Sequence, residues 1–349
     1  MKHWIKSFCS FVFVMLLVSC NSKTERLSTL IGHDDHYLQT GSCDFFRGRW
    51  VHDDSYPSYN STSCPFIMKE FDCQKNGRPD TDYLKYRWKP RRCKLPRFNS
   101  RDFLRRFKGK KILFVGDSLS LNQWKSLTCM LHVSVPQTNY TLERKGALST
   151  FTLQEYRISV ALSRNGFLVD LVKEKMGTVL KLDSINDGNA WGGYDMLIFN
   201  TWHWWLHTGR KQPCSWDYIQ QGDRIHKDMD RLVAFKEGLT TWSNGKDWNS
   251  SKSTTCHEET KPLRSSTYPK GSPPAVAVVK SVLKKISTLV TLLDVTTLSQ
   301  LRKDGHPSIY GFGGKRGNDC SHWCLPGVPD TWNQLLYATL ITPGNSKIN

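Results

Sequence analysis

Apolar residues after about residue 110 alternate between short continuous runs and positions with helical spacing. Lys111–Val115 is a short apolar run stopped by Gly116, typical of a buried strand, and apolar positions from Leu121 to Leu131 then recur every three or four residues. Further strands are predicted at 156–162, 167–172, 179–182, 196–199 and 290–295, with a helix at 229–239. Strands that alternate with helices predict an α/β domain whose mostly parallel sheet is flanked by helices.

Residues 1–20 have the pattern of a secretory signal. Lysines precede the apolar run from Phe8 to Val18, which ends in small residues at Ser19-Cys20. The run is shorter than the roughly 20 residues that a membrane-spanning helix needs. A cleaved signal peptide and an uncleaved signal anchor both fit this pattern, and Leu17 to Cys20 also has the form of a bacterial lipoprotein cleavage box.

The rest of the chain divides by composition into three parts. Residues 21–41 are polar without a period and predict a short stem. Residues 42–100 are dense in Cys, aromatic residues, Pro and Gly, which predicts a turn-rich subdomain held together by disulfides. Residues 101–345 contain the predicted strands and helices of the α/β domain, and no internal repeat is visible.

Cysteines and sequons agree with a secretory route. Of the 11 cysteines, Cys9 and Cys20 lie in or beside the signal, and the other nine predict a disulfide framework with one thiol left over. The chain has no paired C-x-x-C spacing, so we expect no metal site. Glycosylation sequons begin at Asn60, Asn139 and Asn249.

The formal net charge of +18 makes an acidic partner plausible on electrostatic grounds. The basic residues are scattered, and no nucleic-acid-binding motif accompanies them, so we expect no nucleic-acid partner. Dinucleotide and nucleotide motifs are also missing from the sequence, and we expect no bound cofactor.

Gly116-Asp117-Ser118 stands where the first predicted strand meets the first predicted helix. In open α/β sheets, active sites gather at such joints. Ser118 would begin the helix, where its own amide and the helix dipole can stabilise an oxyanion. The alternative is that Asp117 or Ser118 merely caps the helix.

A second segment, Asn318 to Gly327, supplies the partners that a serine nucleophile requires. A histidine must accept the proton of the serine, and a carboxylate must orient that histidine. Asp319 and His322, three residues apart on one tight loop, can provide both groups, and Cys320 and Cys324 bracket the histidine. An ordinary buried histidine is the alternative.

From Cys43 onward the chain resembles the plant trichome birefringence-like family of polysaccharide O-acetyltransferases, which has an SGNH-hydrolase-like fold. The resemblance implies Ser118 as nucleophile, His322 as base and Asp319 as orienting residue. It also places Gly116, Asp117, Asn122, Gln123 and Asn200 around the oxyanion and substrate. The motifs that carry it are Cys43-Asp44 with Gly48 and Trp50, Asp72-Cys73 with Asn76–Asp80, Arg87–Pro90, Gly116–Ser118, Asn200-Thr201 with Trp204-Trp205, Arg302 with Asp304–Pro307, and Asp319-x-x-His322.

The resemblance further implies four disulfides: Cys43–Cys93, Cys64–Cys129, Cys73–Cys324 and Cys256–Cys320, with Cys214 unpaired. Two departures from the family pattern stand out. Leu121 replaces a frequent arginine ahead of Asn122-Gln123, and an expected strand with a Ser-Pro-x-His segment is missing after Trp242. A missing central strand would leave backbone ladder groups unpaired.

These observations favour an O-acetyltransferase that acts on a cell-wall polysaccharide of the xylan or pectin class through an acetyl-Ser118 intermediate. An acetylesterase that uses the same three residues is the alternative, and an inactive, shortened polysaccharide-binding form is a second one. The acetyl donor would be acetyl-CoA or an acetylated carrier, with a Golgi donor protein as a potential partner. We expect the protein in the Golgi lumen, in the Golgi membrane through its N-terminal segment alone, or secreted to the cell wall.

Overall fold

The computed structural model describes residues 14–19, 43–206, 215–243, 261–269, 271–285, 290–311 and 318–342. The strands are β1 (Val14–Ser19), β2 (Gly48–His52), β3 (Tyr86–Pro90), β4 (Lys111–Gly116), β5 (Tyr140–Lys145), β6 (Leu148–Leu153), β7 (Ile158–Arg164), β8 (Asp170–Glu174), β9 (Gly177–Lys181), β10 (Met196–Thr201), β11 (Tyr218–Gln221), β12 (Arg224–His226) and β13 (Val290–Leu293). The helices are α1 (Ser100–Arg106), α2 (Ser118–Ser134), α3 (Arg231–Ser243), α4 (Pro274–Leu283), α5 (Thr296–Gln300) and α6 (Val328–Ile341).

The main sheet has seven strands in the order β13-β1-β10-β4-β7-β6-β5. Its centre, β10-β4-β7, is parallel, whereas every other neighbouring pair is antiparallel. The α/β prediction is confirmed, but within the main sheet parallel pairing is confined to these three strands, and in the second sheet to β9 and β11. The physical reason is that β5, β6 and β7 follow one another through short connections, which permit only antiparallel pairing. A second sheet has the order β12-β11-β9-β8.

Strand β4 explains why its sequence is a continuous apolar run. Ile112 and Phe114 belong to the core on one face of the sheet, with α2 and α6, while Leu113 and Val115 belong to the core on the other, with α3 and α4. A strand that is buried on both faces has no polar side to alternate with. The layered arrangement places the carboxyl end of β4 between two packed helical layers.

Strand β1 occupies a position between β10 and β13 and pairs antiparallel with both. The sequence predicts a sheet that lacks one strand after Trp242, with unpaired ladder groups. Instead, the backbone of Val14–Ser19 pairs with the facing edges of both neighbours. The signal function of residues 1–20 stays a prediction. Among the helices of the described ranges, none combines the length and apolarity that crossing a membrane requires.

The Cys-rich subdomain is built on the antiparallel pair β2–β3, where Trp50 and Trp88 lie opposite each other. The Trp50 indole Nε1–H donates to the carbonyl of Leu298 over 2.8 Å, which joins the subdomain to the α/β domain. Disulfides join Cys43 to Cys93, Cys64 to Cys129, and Cys73 to Cys324. These are three of the pairs that the family resemblance implies, and the last two tie the subdomain to α2 and to the His322 loop.

The remaining cysteines and the sequons are covered only in part. Cys320 is disulfide-bonded, whereas its implied partner Cys256 and the implied free thiol Cys214 lie outside the described residues. Asn60 and Asn139 are exposed, and Asn249 also lies outside the described residues. Glycosylation therefore stays a prediction at all three positions.

Candidate active site

The joint between β4 and α2 presents Ser118 as the first residue of a 17-residue helix. At Gly116 a Cβ would lie 2.3 Å from the carbonyl oxygen of Asn200 on β10, so only glycine permits this approach of the two strands. As the first helical residue, Ser118 has an amide without a helical acceptor. Its partly exposed side chain stands at the carboxyl end of β4, where the sequence predicts a nucleophile.

Asp117 caps this helix from a fully buried position. Its Oδ1 accepts from the Leu119 amide at 2.8 Å and from Asn200 Nδ2 at 3.1 Å, while Oδ2 has no hydrogen-bond partner among the described residues. Burial raises the pKa of Asp117 to about 6, although hydrogen bonds and the charges of Arg164 and His322 act in the opposite direction. The capping alternative therefore describes Asp117 correctly and leaves Ser118 free for chemistry.

Asn200 lies beside Gly116 at the end of β10, as its proposed place near the oxyanion requires. Its Nδ2 donates to Asp117, however, and its Oδ1 is buried without a partner in the described part of the chain. Gly166, which follows β7, is a neighbour that the sequence analysis missed. A Cβ at Gly166 would lie 2.6 Å from the Trp204 ring and 2.9 Å from Asp117 Cβ, so this position also requires glycine.

The Asp319–His322 pair has the geometry that a general base requires. Asp319 Oδ2 lies 2.9 Å from His322 Nδ1, and Oδ1 accepts from the amides of Ser321 at 2.9 Å and His322 at 3.2 Å. Burial alone would raise the pKa of Asp319, but the charge and hydrogen bond of His322 and the two amides outweigh it and lower the pKa to about 2. Asp319 is therefore ionised, and its carboxylate accepts a hydrogen bond from the protonated Nδ1 of His322.

The other ring nitrogen of His322 is left open. Nε2 is buried and has no hydrogen-bond partner among the described residues, Ser118 Oγ included. Catalytic hydrogen bonds are often long without substrate and shorten in the reacting complex. The Asp319 contact fixes the proton on Nδ1, so the unpaired Nε2 is the nitrogen that can accept one.

Asn122 places this loop against the first turn of α2. Its Oδ1 accepts from the Trp323 amide at 2.8 Å, and its Nδ2 donates to the Trp323 carbonyl at 3.1 Å. Asn122 is fully buried and lies one helical turn after Ser118, on the same face of α2. The residue after His322 is thus clamped to the helix that Ser118 begins.

Contacts from His306 and Arg78 also support the loop that carries His322. The Nδ1–H of His306 donates to the His322 carbonyl at 2.6 Å, and burial lowers the pKa of His306 to about 4, so its ring is neutral near pH 7. Arg78, from the Cys-rich subdomain, donates to the carbonyls of Asp304 and His306. The subdomain therefore stabilises the conformation of the loop that carries His322.

Two further groups from the sequence analysis belong to the core. Gln123 donates through Nε2 to Asn333 Oδ1 on α6 at 3.1 Å, so it joins two helices and does not face a substrate. Trp202, Trp204 and Trp205 are all buried, and Trp205 is completely inaccessible. These three aromatic side chains therefore pack in the core.

The buried Asp117 predicts a specific pH dependence of stability. Its pKa is about 6 in the folded protein, against an ordinary value of 3.8 for an aspartate, so the folded state binds more protons than the unfolded state between pH 3.8 and pH 6. The contribution of Asp117 to the free energy of unfolding is therefore greatest below pH 4 and falls by up to about 3 kcal/mol as the pH rises through 6.

In Asp117→Asn this titration is removed, while an oxygen that can accept from Leu119 and Asn200 is kept. We expect the difference in free energy of unfolding between variant and wild type to change by about 2–3 kcal/mol from pH 4 to pH 7 in favour of the variant. Urea unfolding at four pH values measures this difference. Parallel profiles would show that Asp117 does not titrate in this range.

Comparison with known proteins finds two family matches along the chain. Residues 95–245 and 243–339 match the PC-esterase family, described as a GDSL/SGNH-like acyl-esterase family found in Pmr5 and Cas1p. Residues 41–94 match the PMR5 N-terminal domain. The boundary between the two matches falls at residues 94 and 95, shortly before α1.

Relatives from Arabidopsis thaliana match over most of their length. Trichome birefringence-like 41 is 54% identical over 324 residues, covering 86% of this chain and 90% of that protein. Trichome birefringence-like 39 is 49% identical over 361 residues, covering 95% and 97%. That alignment is longer than the 349 residues of this chain, so the relative has residues that the chain lacks.

The protein named trichome birefringence is 38% identical over 350 residues, covering 87% of this chain and 57% of its own length. Identity of this extent, together with family matches over most of the chain, identifies the family of the protein. The chain belongs to the trichome birefringence-like family and carries its PMR5 N-terminal and SGNH-like PC-esterase domains.

Proposed function

We propose that this protein is an O-acetyltransferase that transfers acetyl groups to a plant cell-wall polysaccharide of the xylan or pectin class. The observation that carries this proposal is the oriented base: Asp319 holds Nδ1 of His322, and Nε2 has no partner among the described residues. The next residue, Trp323, is bound to Asn122 of the helix that begins with Ser118. Membership of an acyl-esterase family gives the class of chemistry. The proposed location is the Golgi or, after secretion, the cell wall.

In the first half-reaction, Nε2 of His322 accepts the proton of Ser118 Oγ while Oγ attacks the acetyl carbonyl of the donor. The negative charge that develops on the carbonyl oxygen is stabilised by the free Ser118 amide at the amino terminus of α2. His322 then returns the proton to the leaving group. The products are acetyl-Ser118 and the free donor, which we propose to be coenzyme A or an acyl carrier.

In the second half-reaction, a sugar hydroxyl gives its proton to Nε2 of His322 and attacks the acetyl carbon. Ser118 Oγ leaves and recovers the proton, so the acetyl ester on the sugar and the free enzyme are formed. Throughout the cycle, Asp319 stays ionised and stabilises the imidazolium, because its pKa is about 2.

Water in place of the sugar hydroxyl would make the same machinery an acetylesterase. The description of the matched family as acyl-esterases favours keeping this second candidate. The third candidate is a shortened, polysaccharide-binding form without activity. The observation that supports it is that a relative has residues which this chain lacks.

The deciding experiment follows a labelled acetyl group in the secreted full-length protein and in Ser118→Ala. The protein is given acetyl donor with deacetylated xylan or pectin oligomers, and mass spectrometry measures acetyl on sugar against free acetate. We expect serine-dependent acetyl on sugar. Serine-dependent acetate alone would identify an esterase, and the lack of both products from folded protein would overturn both enzymatic functions.

A further inference from the structure

A cavity of about 590 Å³ opens between the Cys-rich subdomain and residues 261–266 of the catalytic domain. This volume lies within the range of about 300–1,000 Å³ that is typical of small-molecule sites. None of the residues proposed for catalysis lines it. The lining consists of Arg49, Trp50, Val51, His52, Tyr86, Lys261, Pro262, Leu263, Arg264, Ser265 and Ser266.

The cavity is rich in positive charge that is not neutralised. Arg49, Lys261 and Arg264 are exposed, and within the described ranges none of them has an ion-pair or hydrogen-bond partner; no carboxylate lines the cavity. Other arginines of the same subdomain differ in this respect, since Arg78 pairs with Asp80 and Arg87 with Asp53. Three unpaired cations around one cavity attract a negatively charged ligand.

The floor of the cavity is aromatic and fixed in place. Trp50 is held by its hydrogen bond to Leu298 and by an edge-on contact with Trp88 at 5.5 Å. The Arg302 guanidinium lies 4.5 Å from the Trp50 ring and 5.2 Å from the Tyr86 ring. Rings held in this way present an apolar surface without losing conformational entropy on binding.

Aromatic rings and cations together define the chemistry of the ligand. The apolar face of a sugar ring can pack on the half-buried Tyr86, beside the largely buried Trp50. A guanidinium binds a carboxylate through two parallel hydrogen bonds. A neutral glycan has no negative charge with which the three cations could pair. We propose that this cavity binds uronate units of an acidic polysaccharide, an inference that rests on the proposed function by naming the acceptor class.

The cavity is joined to the catalytic loop through one short segment. Arg302, beneath the aromatic floor, forms a buried ion pair with Asp304 at 2.9 Å. His306 follows two residues later and donates to the carbonyl of His322. A polysaccharide chain that is anchored in the cavity would thus be held relative to the same segment that supports His322.

The test measures binding without turnover, using the full chain with Ser118→Ala. Calorimetry compares tri-galacturonate with its methyl ester, which has the same sugar rings but no charge. We expect the acid to bind and the ester to bind at least tenfold more weakly. Adding Arg49→Gln, Lys261→Gln and Arg264→Gln should weaken binding of the acid by about 30-fold, since each exposed ion pair contributes modestly.

The control variant carries Arg101→Gln, Lys108→Gln and Arg157→Gln, which remove the same charge at exposed positions away from the cavity. We expect its affinity to stay within twofold of the parent. Equal losses in both triple variants, or equal affinity for acid and ester, would overturn the proposal. Binding of a short oligonucleotide without binding of galacturonate would overturn it as well.

Two further measurements distinguish a loss of binding from a loss of folding. Equal melting temperatures show that the variants are folded, and the single variant Arg264→Gln should shift affinity in the same direction if the triple variant unfolds. Because binding is measured without turnover, an active transferase that does not bind galacturonate would contradict this inference alone. A uronate-binding protein without activity would contradict only the proposed function.

Discussion

Replacing Asp319 with Asn is expected to lower kcat by about 10⁴-fold while the protein stays folded. The asparagine Oδ1 can still accept from the amides of Ser321 and His322, so the loop keeps two of its hydrogen bonds. Its Nδ2, however, is a donor placed 2.9 Å from the position of Nδ1 of His322. The imidazole must then accept at Nδ1 and carry its proton on Nε2, and it can no longer accept a proton from Ser118.

Release of nitrophenolate from 4-nitrophenyl acetate reports this loss in the first half-reaction. The comparison is made at about pH 7, where the Asp319 pKa of about 2 keeps the wild-type carboxylate ionised. Asp195→Asn is the matched control, because Asp195 binds Lys110 at the opposite end of β4. We expect its rate to stay within about twofold of the wild-type rate. A near-normal rate in Asp319→Asn would mean that His322 does not depend on Asp319.

Loss of the Cys73–Cys324 disulfide is expected to reduce both stability and activity. This bond spans 251 residues, so its removal should lower the free energy of unfolding by about 5 kcal/mol in the chain-entropy model. Cys324 also lies two residues after His322, within the clamped loop. A shift of this loop would displace Nε2, and reaction rates fall steeply with such displacement.

The double variant Cys73→Ala with Cys324→Ala is compared with Cys43→Ala with Cys93→Ala. The second pair closes a span of 50 residues within the Cys-rich subdomain, and its loss should cost about 4 kcal/mol. Denaturant unfolding measures the two stabilities, and nitrophenolate release well below the melting temperatures measures activity. We expect a rate loss in the first variant that the second does not share. Equal rates would show that the disulfide stabilises the fold without positioning His322.

The elements around β4 and α2 could be predicted because their patterns have a local cause. The continuous apolar run ended by Gly116 reflects a strand that is buried on both faces. In α2 the apolar positions keep helical spacing although nearly all of its residues are buried. The hairpin of β5 and β6 was missed, because β5 is largely exposed and carries Glu143, Arg144 and Lys145. Helix α6 was missed for the opposite reason: it is buried almost all round, and its polar Asn333 faces Gln123 of α2 instead of solvent.

The reacting groups could be predicted from their residue types and spacing, but their supports could not. Nothing local marks Asn122 as the residue that binds Trp323, because the two are 201 residues apart in the chain. The same holds for Arg78, which reaches Asp304 across 226 residues. Asn200 shows the converse, since its proximity to Ser118 was inferred, yet its amide donates to Asp117. Such contacts follow from packing, which a linear pattern does not record.

The pairing of β1 with β10 and β13 affects the order of folding during synthesis. Val14–Ser19 is made early, but its partners at 196–201 and 290–293 are made much later. Contacts between such distant residues form slowly, so the ribosome completes most of the chain before this apolar hexapeptide can join the sheet. Any targeting factor, chaperone or membrane that captures the hexapeptide during that interval competes directly with the sheet. Withdrawal of the segment would separate β13 from the other strands, so its early capture decides between a continuous sheet and a divided one.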